Sequence, residues 1–252
     1  MNDRYVAQWL ETLARLAKQR GFSVECWGNS GKLPLLGFVR TGNENAPRIY
    51  LSAGIHGDEP AGPPAIERLL RDDHLSPSLN WTICPLLNPC GYAAGSRHTP
   101  EGIDLNRDYK QFRAAESAAH AAWLKGAPAN DLYLSLHEDW ETGGFYLYEI
   151  NNSPVPAFGE AIVEAVAEVI PAESRSVIDD HRTAAPGVIR HSPSPDEPDN
   201  WPEAIYHFVL YPHLSYTFET PSSLRIETRI RAHIVAVKTA LELFSERRDK
   251  EV

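Results

Sequence analysis

No run of about 18 apolar residues, the length a membrane span needs, occurs in this 252-residue sequence, so it offers no transmembrane helix. Cysteine is scarce: Cys26, Cys84 and Cys90 are too few and too scattered for a disulfide framework or a thiolate zinc site. Basic residues are in deficit, 24 against 34 acidic ones, for a formal charge of −10. That balance argues against nucleic acid, whose phosphates ask for a basic surface. The first twenty residues lack the basic start, apolar centre and small-residue cleavage site of a secretory signal. The expectation is a cytoplasmic protein with no membrane partner. Repeats, low-complexity tracts and linker-like stretches are missing too, which points to one domain over 1–252.

What is present is an alternation of short apolar runs with helical patterns. The strand-like runs are "GFSVECW", "KLPLLGFVR", "RIYLSAGI", "WTICPLLN", "DLYLSLH", "GFYLYEI" and "HLSYTFET". Between them lie "GPPAIERLLRDD", "QFRAAESAAHAAWL" and "AFGEAIVEAVAEVI". The N-terminus reads as an amphipathic helix capped by Asp3, with Val6, Trp9, Leu10, Leu13 and Leu16 on one face. A last helix carries Ile226, Ile230, Ile234, Val237, Leu241 and Phe244 on its apolar stripe, leaving His233 off it. This order predicts an α/β fold, a mixed and largely parallel sheet covered by helices on both faces. Ligands in such sheets collect beyond the carboxyl ends of the strands. The loop-rich segment 182–203 has the length of a lid.

Chemistry concentrates at those strand ends. In "AGIHGDEP", His56 and Glu59 follow directly on a strand, three residues apart, so imidazole and carboxylate can face one point as zinc ligands do. Alone, such a pair is more often a polar turn leading into a helix. His137 closes the strand "DLYLSLH" and by itself would pass for a satisfied histidine. In "HLSYTFETP" the period of two puts His213, Ser215, Thr217 and Glu219 on one face and Leu214, Tyr216 and Phe218 on the other. A glutamate ending a strand beside Pro221 suggests a general base. The polar segment "SRHTPEGIDLNRDY" gathers Arg97, Asp104, Asn106 and Arg107. A solvated loop explains Lys110 and Arg113, whereas Arg97 and Arg107 suit clamps on anionic or polarised oxygens. His74, His120 and His233 fall in helical segments and are expected to face solvent, while His98 and His213 are candidates to line a cleft.

The ordered set "HGDE", "NPCG", "GIDLNRDY", "LSLH" and "TFETP", spanning residues 54–221, resembles the zinc carboxypeptidase superfamily. It is most similar to the short bacterial murein-peptide amidases and more distantly to the aspartoacylase and succinylglutamate desuccinylase branch. The resemblance implies a carboxypeptidase-like α/β/α sandwich holding one zinc per chain through His56, Glu59 and His137. It makes Glu219 the general base and Asp104 the carboxylate that fixes the His56 tautomer. Asn106 and Arg107 would grip the substrate's terminal carboxylate, and Arg97 would polarise the scissile carbonyl. Three departures stand out. Asn88-Pro89-Cys90-Gly91 replaces the usual Asn-Pro-Asp-Gly, and Cys90, with no basic neighbour, reads as structural. Either Tyr206 or Tyr211 could serve as the mobile tyrosine many carboxypeptidases use. Beyond His137, Glu138 and Asp139 bring negative charge towards the metal rim, where they could meet a cationic group or be ordinary surface acids.

The implied reaction is metal-assisted hydrolysis of an amide beside a free carboxylate in a small peptide, for instance a murein peptide. Glu219 would take a proton from the attacking water and pass it to the departing amine. The alternatives are an N-acyl amino acid deacylase, which shares "DLNR", and a metal- or peptide-binding module without catalysis. The latter would be expected to lack a ligand or the base, and all four positions are filled.

Overall fold

A computed structural model describes residues 2–192, 200–211 and 213–248. In chain order the elements are α1 (Asp3–Gln19), β1 (Ser23–Ser30), β2 (Leu33–Arg40), β3 (Arg48–Ala53), α2 (Gly62–Arg71), β4 (Asn80–Cys84) and α3 (Pro89–Ala94). There follow α4 (Ala115–Leu124), β5 (Leu132–Asp139), β6 (Tyr146–Asn151), α5 (Gly159–Val166), β7 (Val177–Ile178) and β8 (His181–Arg182). The chain continues with β9 (Val188–Arg190), α6 (Glu203–Leu210), β10 (Leu214–Pro221) and α7 (Ile226–Arg248).

Eight strands form one sheet in the order β1-β2-β4-β3-β5-β10-β6-β9, with β7 and β8 pairing apart as a small hairpin. β3 runs parallel to both β4 and β5, β5 parallel to β10, and β6 parallel to β9. The β1–β2, β2–β4 and β10–β6 pairs are antiparallel. The expected mixed, largely parallel sheet is what forms. From β3 the chain first moves to β4 on one side and later returns to β5 on the other. The switch point of the sheet therefore lies between β3 and β5, where such folds open a crevice beyond the strand ends.

The two faces of the central strands differ in chemistry, as period two requires. Leu132, Leu134 and Leu136 of β5, Leu214, Tyr216 and Phe218 of β10, and Ile49 and Leu51 of β3 join one apolar core with residues of α1, α2, α5 and α7. The other face carries Tyr50, Tyr133 and Ser135, and α4 and α6 cover it through a smaller core containing Leu105, Tyr109, Ala121, Leu124 and Tyr206.

Helix ends explain where several turns fall. Asn2, not Asp3, caps α1, accepting a hydrogen bond from Tyr5 N–H at 3.0 Å. Asp108 lies before α4 and accepts from Arg113 N, Ala114 N and Ser117 Oγ at 3.1, 2.9 and 2.6 Å. In α7 the buried stripe runs through Ile230, Ala232, His233, Ala236, Val237, Ala240, Leu241 and Phe244, while Ile226 is exposed. Small alanines let this helix lie close to the sheet, which turns the stripe and buries His233, against expectation. His120 is buried as well. It meets Tyr109 Oη at 2.7 Å and Tyr50 Oη at 3.1 Å, and burial pushes its pKa down to about 3. Both histidines were expected to face solvent; each instead lies between a helix and the sheet. No described helix is long and apolar enough to cross a membrane. Of the segment 182–203, residues 182–192 and 200–203 are described, and 193–199 lie outside the described residues.

Candidate metal centre and its cleft

The stretch that delivers His56 and Glu59 is held by close backbone packing. Leu87 N–H and Asn88 N–H donate to the carbonyls of Ala53 and Gly54, tying the end of β3 to the start of α3. A Cβ on Gly57 would lie 2.0 Å from the Gly91 carbonyl carbon, so only glycine lets the loop reach the helix there. Asn88 caps α3, accepting from Gly91 N–H at 2.9 Å. The "HGDE" and "NPCG" motifs are thus two sides of one contact. Cys90, as expected, has a structural partner: its thiol donates to the Ser30 carbonyl at 3.0 Å, and burial raises its pKa.

His56, Glu59 and His137 come together, all buried, with one ligand atom from each within 4.8 Å of the others. Glu59 Oε1 lies 2.5 Å from His56 Nδ1 and Oε2 lies 3.0 Å from His137 Nδ1. Both imidazoles therefore turn Nδ1 to the same carboxylate. His56 Nε2 lies 3.1 Å from Asp104 Oδ1, and a proton on that nitrogen leaves the Nδ1 lone pair for a cation. Two nitrogens and a carboxylate converging on one point suit zinc, so the donor set fits that metal. Asp104 also accepts from Arg97 Nε at 2.9 Å and Asn106 N–H at 2.9 Å.

The electrostatics follow from this packing. Burial alone would raise the Glu59 pKa, but the His56 and His137 imidazoles hold its carboxyl well below the usual range. Burial likewise opposes ionisation of Asp104, and His56 and Arg97 outweigh it. For His56, burial disfavours the cation, yet Glu59 and Asp104 raise its pKa on balance.

Glu219 is the register partner of His137 across the β10–β5 pair. It keeps some access to the cleft but is ringed by protein. That desolvation pushes its carboxyl well above the usual range; His137 opposes the shift, and Glu59 and Asp139 reinforce it.

A cleft of about 630 Å³ opens over these groups. His56, Glu59, His137, Glu219, Arg97, Asn106 and Arg107 all line it. Asn106 Oδ1 accepts from Glu203 N–H at 3.0 Å, and Arg107 Nη1 donates to the Asn106 carbonyl at 2.8 Å. Arg97 stands 3.6 Å from Glu59 Oε1 besides its bond to Asp104, which leaves it beside the donor set.

Other expectations need correction. Glu138 borders the cleft, but its carboxylate is engaged away from the donor set, accepting from Ala61 N–H and pairing with Arg229 of α7, as alternation along β5 requires. Its own N–H serves the site, donating to Glu59 Oε2 at 3.1 Å. Among the described residues, neither Tyr206 nor Tyr211 lines the cleft; Tyr206 is buried against Tyr109 and Phe112. Tyr146 and Tyr148 of β6 line it instead, donating to Asp139 and Asp179 at 3.1 and 2.8 Å. Their spacing of two in "FYLYEI" was the available signal. His98 is exposed and His213 buried beside the Tyr211 carbonyl, and neither is among the lining residues. Trp140, 79% exposed, and the β7–β8 hairpin with Asp179 and His181 complete the rim.

This is a carboxypeptidase-like α/β architecture, and solved structures share it. A Shewanella amazonensis protein assigned as a metallopeptidase matches with a TM-score of 0.81 and 24% identity over 94% of this chain and 92% of its own. A metallo-carboxypeptidase from Burkholderia cenocepacia matches with a TM-score of 0.65 and 17% identity, over 92% of this chain and 68% of its own. Carboxypeptidase A from Helicoverpa armigera matches at 0.65 and 16%, over 93% and 71%. Residues 45–167 match the succinylglutamate desuccinylase/aspartoacylase catalytic domain. The resemblance drawn from the motifs thus extends to the fold, which this chain shares with carboxypeptidase-like proteins. The matching domain is the branch that the motifs alone placed further off. A search of curated proteins finds no match.

Proposed function

We propose that the protein is a zinc-dependent hydrolase of an amide bond next to a free carboxylate. One observation carries the reading: a His-Glu-His donor set, a desolvated glutamate on the adjacent strand and an Asn-Arg pair all line one cleft. His56, Glu59 and His137 would hold the ion. When bound, zinc supplies Lewis acidity, polarising a carbonyl and lowering a water's pKa towards about 7.

The chain's own residues do the rest. Glu219, in its ionised form, accepts a proton from the attacking water and returns it to the leaving amine. Arg97 places a cation beside the oxygen that gains charge, a kind of contribution worth about 3 kcal/mol per donor. Asn106 and Arg107 bind the carboxylate and so place the scissile bond, which supplies orientation.

A small peptide, such as one from cell-wall turnover, and an N-acyl amino acid both present an amide beside a carboxylate. The catalytic-domain match favours the acyl amino acid as a second reading. Amine release from matched free-acid and C-terminally amidated peptides, and from acetyl and succinyl amino acids, tests both. The free acid should be cleaved with much the higher kcat/KM, and Arg107→Ala should abolish that preference. Equal rates on blocked and free substrates would remove the carboxylate clamp, and faster turnover of acyl amino acids than of any peptide would favour the second reading.

A further inference from the structure

Below the metal centre, on the same face of the sheet, lies a polar cluster that the reading above does not use. Tyr50 and Ser52 of β3 are register partners of Tyr133 and Ser135 of β5, and the two serine hydroxyls are 3.1 Å apart. One carboxylate descends on this patch from α6. Glu203 has no solvent exposure. Its Oε1 accepts from Tyr50 Oη at 2.5 Å, and its Oε2 accepts from Ser52 Oγ and Tyr133 Oη, each at 2.9 Å. A buried carboxylate is costly unless partnered, and three hydroxyl donors on two central strands are an unusual concentration of partners for a helix's first turn.

The main chain of the same residue points to the cleft. Glu203 N–H donates to Asn106 Oδ1 at 3.0 Å. A donor at that position requires the oxygen end of the amide, so the Asn106 NH2 must occupy the other end. Residues on either side of Glu203 (Trp201, Pro202, Ala204 and Ile205) line the cleft. The stretch is also tied from the other flank, where Tyr109 N–H donates to the Trp201 carbonyl at 3.2 Å.

We propose that Glu203 is the positioning residue of the carboxylate clamp: seated on the Tyr50, Ser52 and Tyr133 hydroxyls, it sets the start of α6 and orients the Asn106 amide towards substrate. This rests on the role given above to Asn106. The Glu203 carboxylate hydrogen-bonds to the Tyr50, Ser52 and Tyr133 hydroxyls and reaches His137 only through space, so its loss should weaken binding of the carboxylate more than the chemical step.

The experiment uses the zinc-loaded full chain. Glu203→Gln keeps the volume and removes the charge. Tyr50→Phe removes a single donor and keeps the ring, and so serves should Glu203→Gln fold poorly. With zinc content unchanged, each variant should raise KM for the free-acid substrate, Glu203→Gln by about tenfold, with kcat within about twofold. The amidated substrate should respond to neither. In an Asn106→Ala background Glu203→Gln should have little further effect, because residues acting as one unit are non-additive. An unchanged KM in folded variants, or full additivity with Asn106→Ala, would overturn the proposal. A wild-type enzyme indifferent to the free carboxylate would instead refute the clamp itself. The cycle, run on whichever substrate is turned over, would then still report whether Glu203 acts through Asn106.

Discussion

Replacing Asp104 by asparagine tests how the donor set is held. Asp104 Oδ1 accepts from two donors, His56 Nε2 and Asn106 N–H, while Oδ2 accepts from Arg97 Nε. The isosteric amide has one oxygen for three donors. Keeping that oxygen on the His56 side satisfies two of them and sets an NH2 against Arg97; the flipped amide would set it against both His56 and Asn106. The first arrangement wins on count. His56 then keeps an acceptor but exchanges a charge-assisted bond for a neutral one of roughly half the strength. Loss of such an outer partner typically costs about 10–100-fold in metal affinity, or about 1.4–2.7 kcal/mol. Asp104→Asn should fall near the tenfold end and Asp104→Ala, which leaves His56 Nε2 with no acceptor, near the hundredfold end. Competition of each variant against a chelator of known zinc affinity measures this directly, with circular dichroism to verify the fold. Wild-type affinity in Asp104→Ala would refute the assignment of Asp104 as the group that orients His56, and a reversed order of the two variants would refute the count of donors.

Two further outcomes are expected. Glu219→Gln should keep its zinc, because Glu219 is not among the three converging donors, yet lose at least about 100-fold in kcat; retained activity would move the base elsewhere. Asp108→Ala should lower stability in urea titration by about 2–4 kcal/mol, because the Asp108 carboxylate accepts from two backbone N–H groups, Ser117 and Arg113. Burial opposes ionisation of Asp108, but these bonds depress its pKa below the unfolded value of about 4, so the stabilisation is full above that pH and is lost as pH falls through the lower folded value. A difference between wild type and variant that stayed constant from neutral pH down to strong acid would contradict that sign.

The parts legible in the sequence are those in which one local pattern carries both fold and chemistry. "RIYLSAGIHGDE" states a buried strand and then two ligand types, and "LSYTFET" states its alternation and the face on which Glu219 lies. His137 needed its partners, because a histidine ending a strand is ordinary until the sheet places β5 beside β3. The errors share another cause. Polarity along a helix or strand places His120, His233 and Glu138 at the surface, but each is buried by a tertiary neighbour: the aromatic cluster around Tyr50, the alanine-lined approach of α7, and Arg229.

Glu203, Tyr146 and Tyr148 show why the cleft wall was harder to read than its floor. The floor is built from the ends of β3, β5 and β10, elements the apolar periodicity must place before a core can form. The wall comes from β6, the β7–β8 hairpin and the start of α6, where side chains reach the cleft from far apart in the chain. Nothing in "NWPEAIYHF" announces that Glu203 will be buried on hydroxyls contributed by residues 50, 52 and 133. A short hairpin can present Asp179 and His181 at the rim without disturbing any strand that leads to the His-Glu-His set. The floor is thereby fixed by the same packing that makes the sheet, whereas the surfaces that would discriminate between a peptide and an acyl amino acid can change with little cost to the core. If the proposed clamp is right, substitutions in α6, at Glu203 first, should separate binding from turnover, and substitutions in the hairpin and β6 should separate one substrate class from the other.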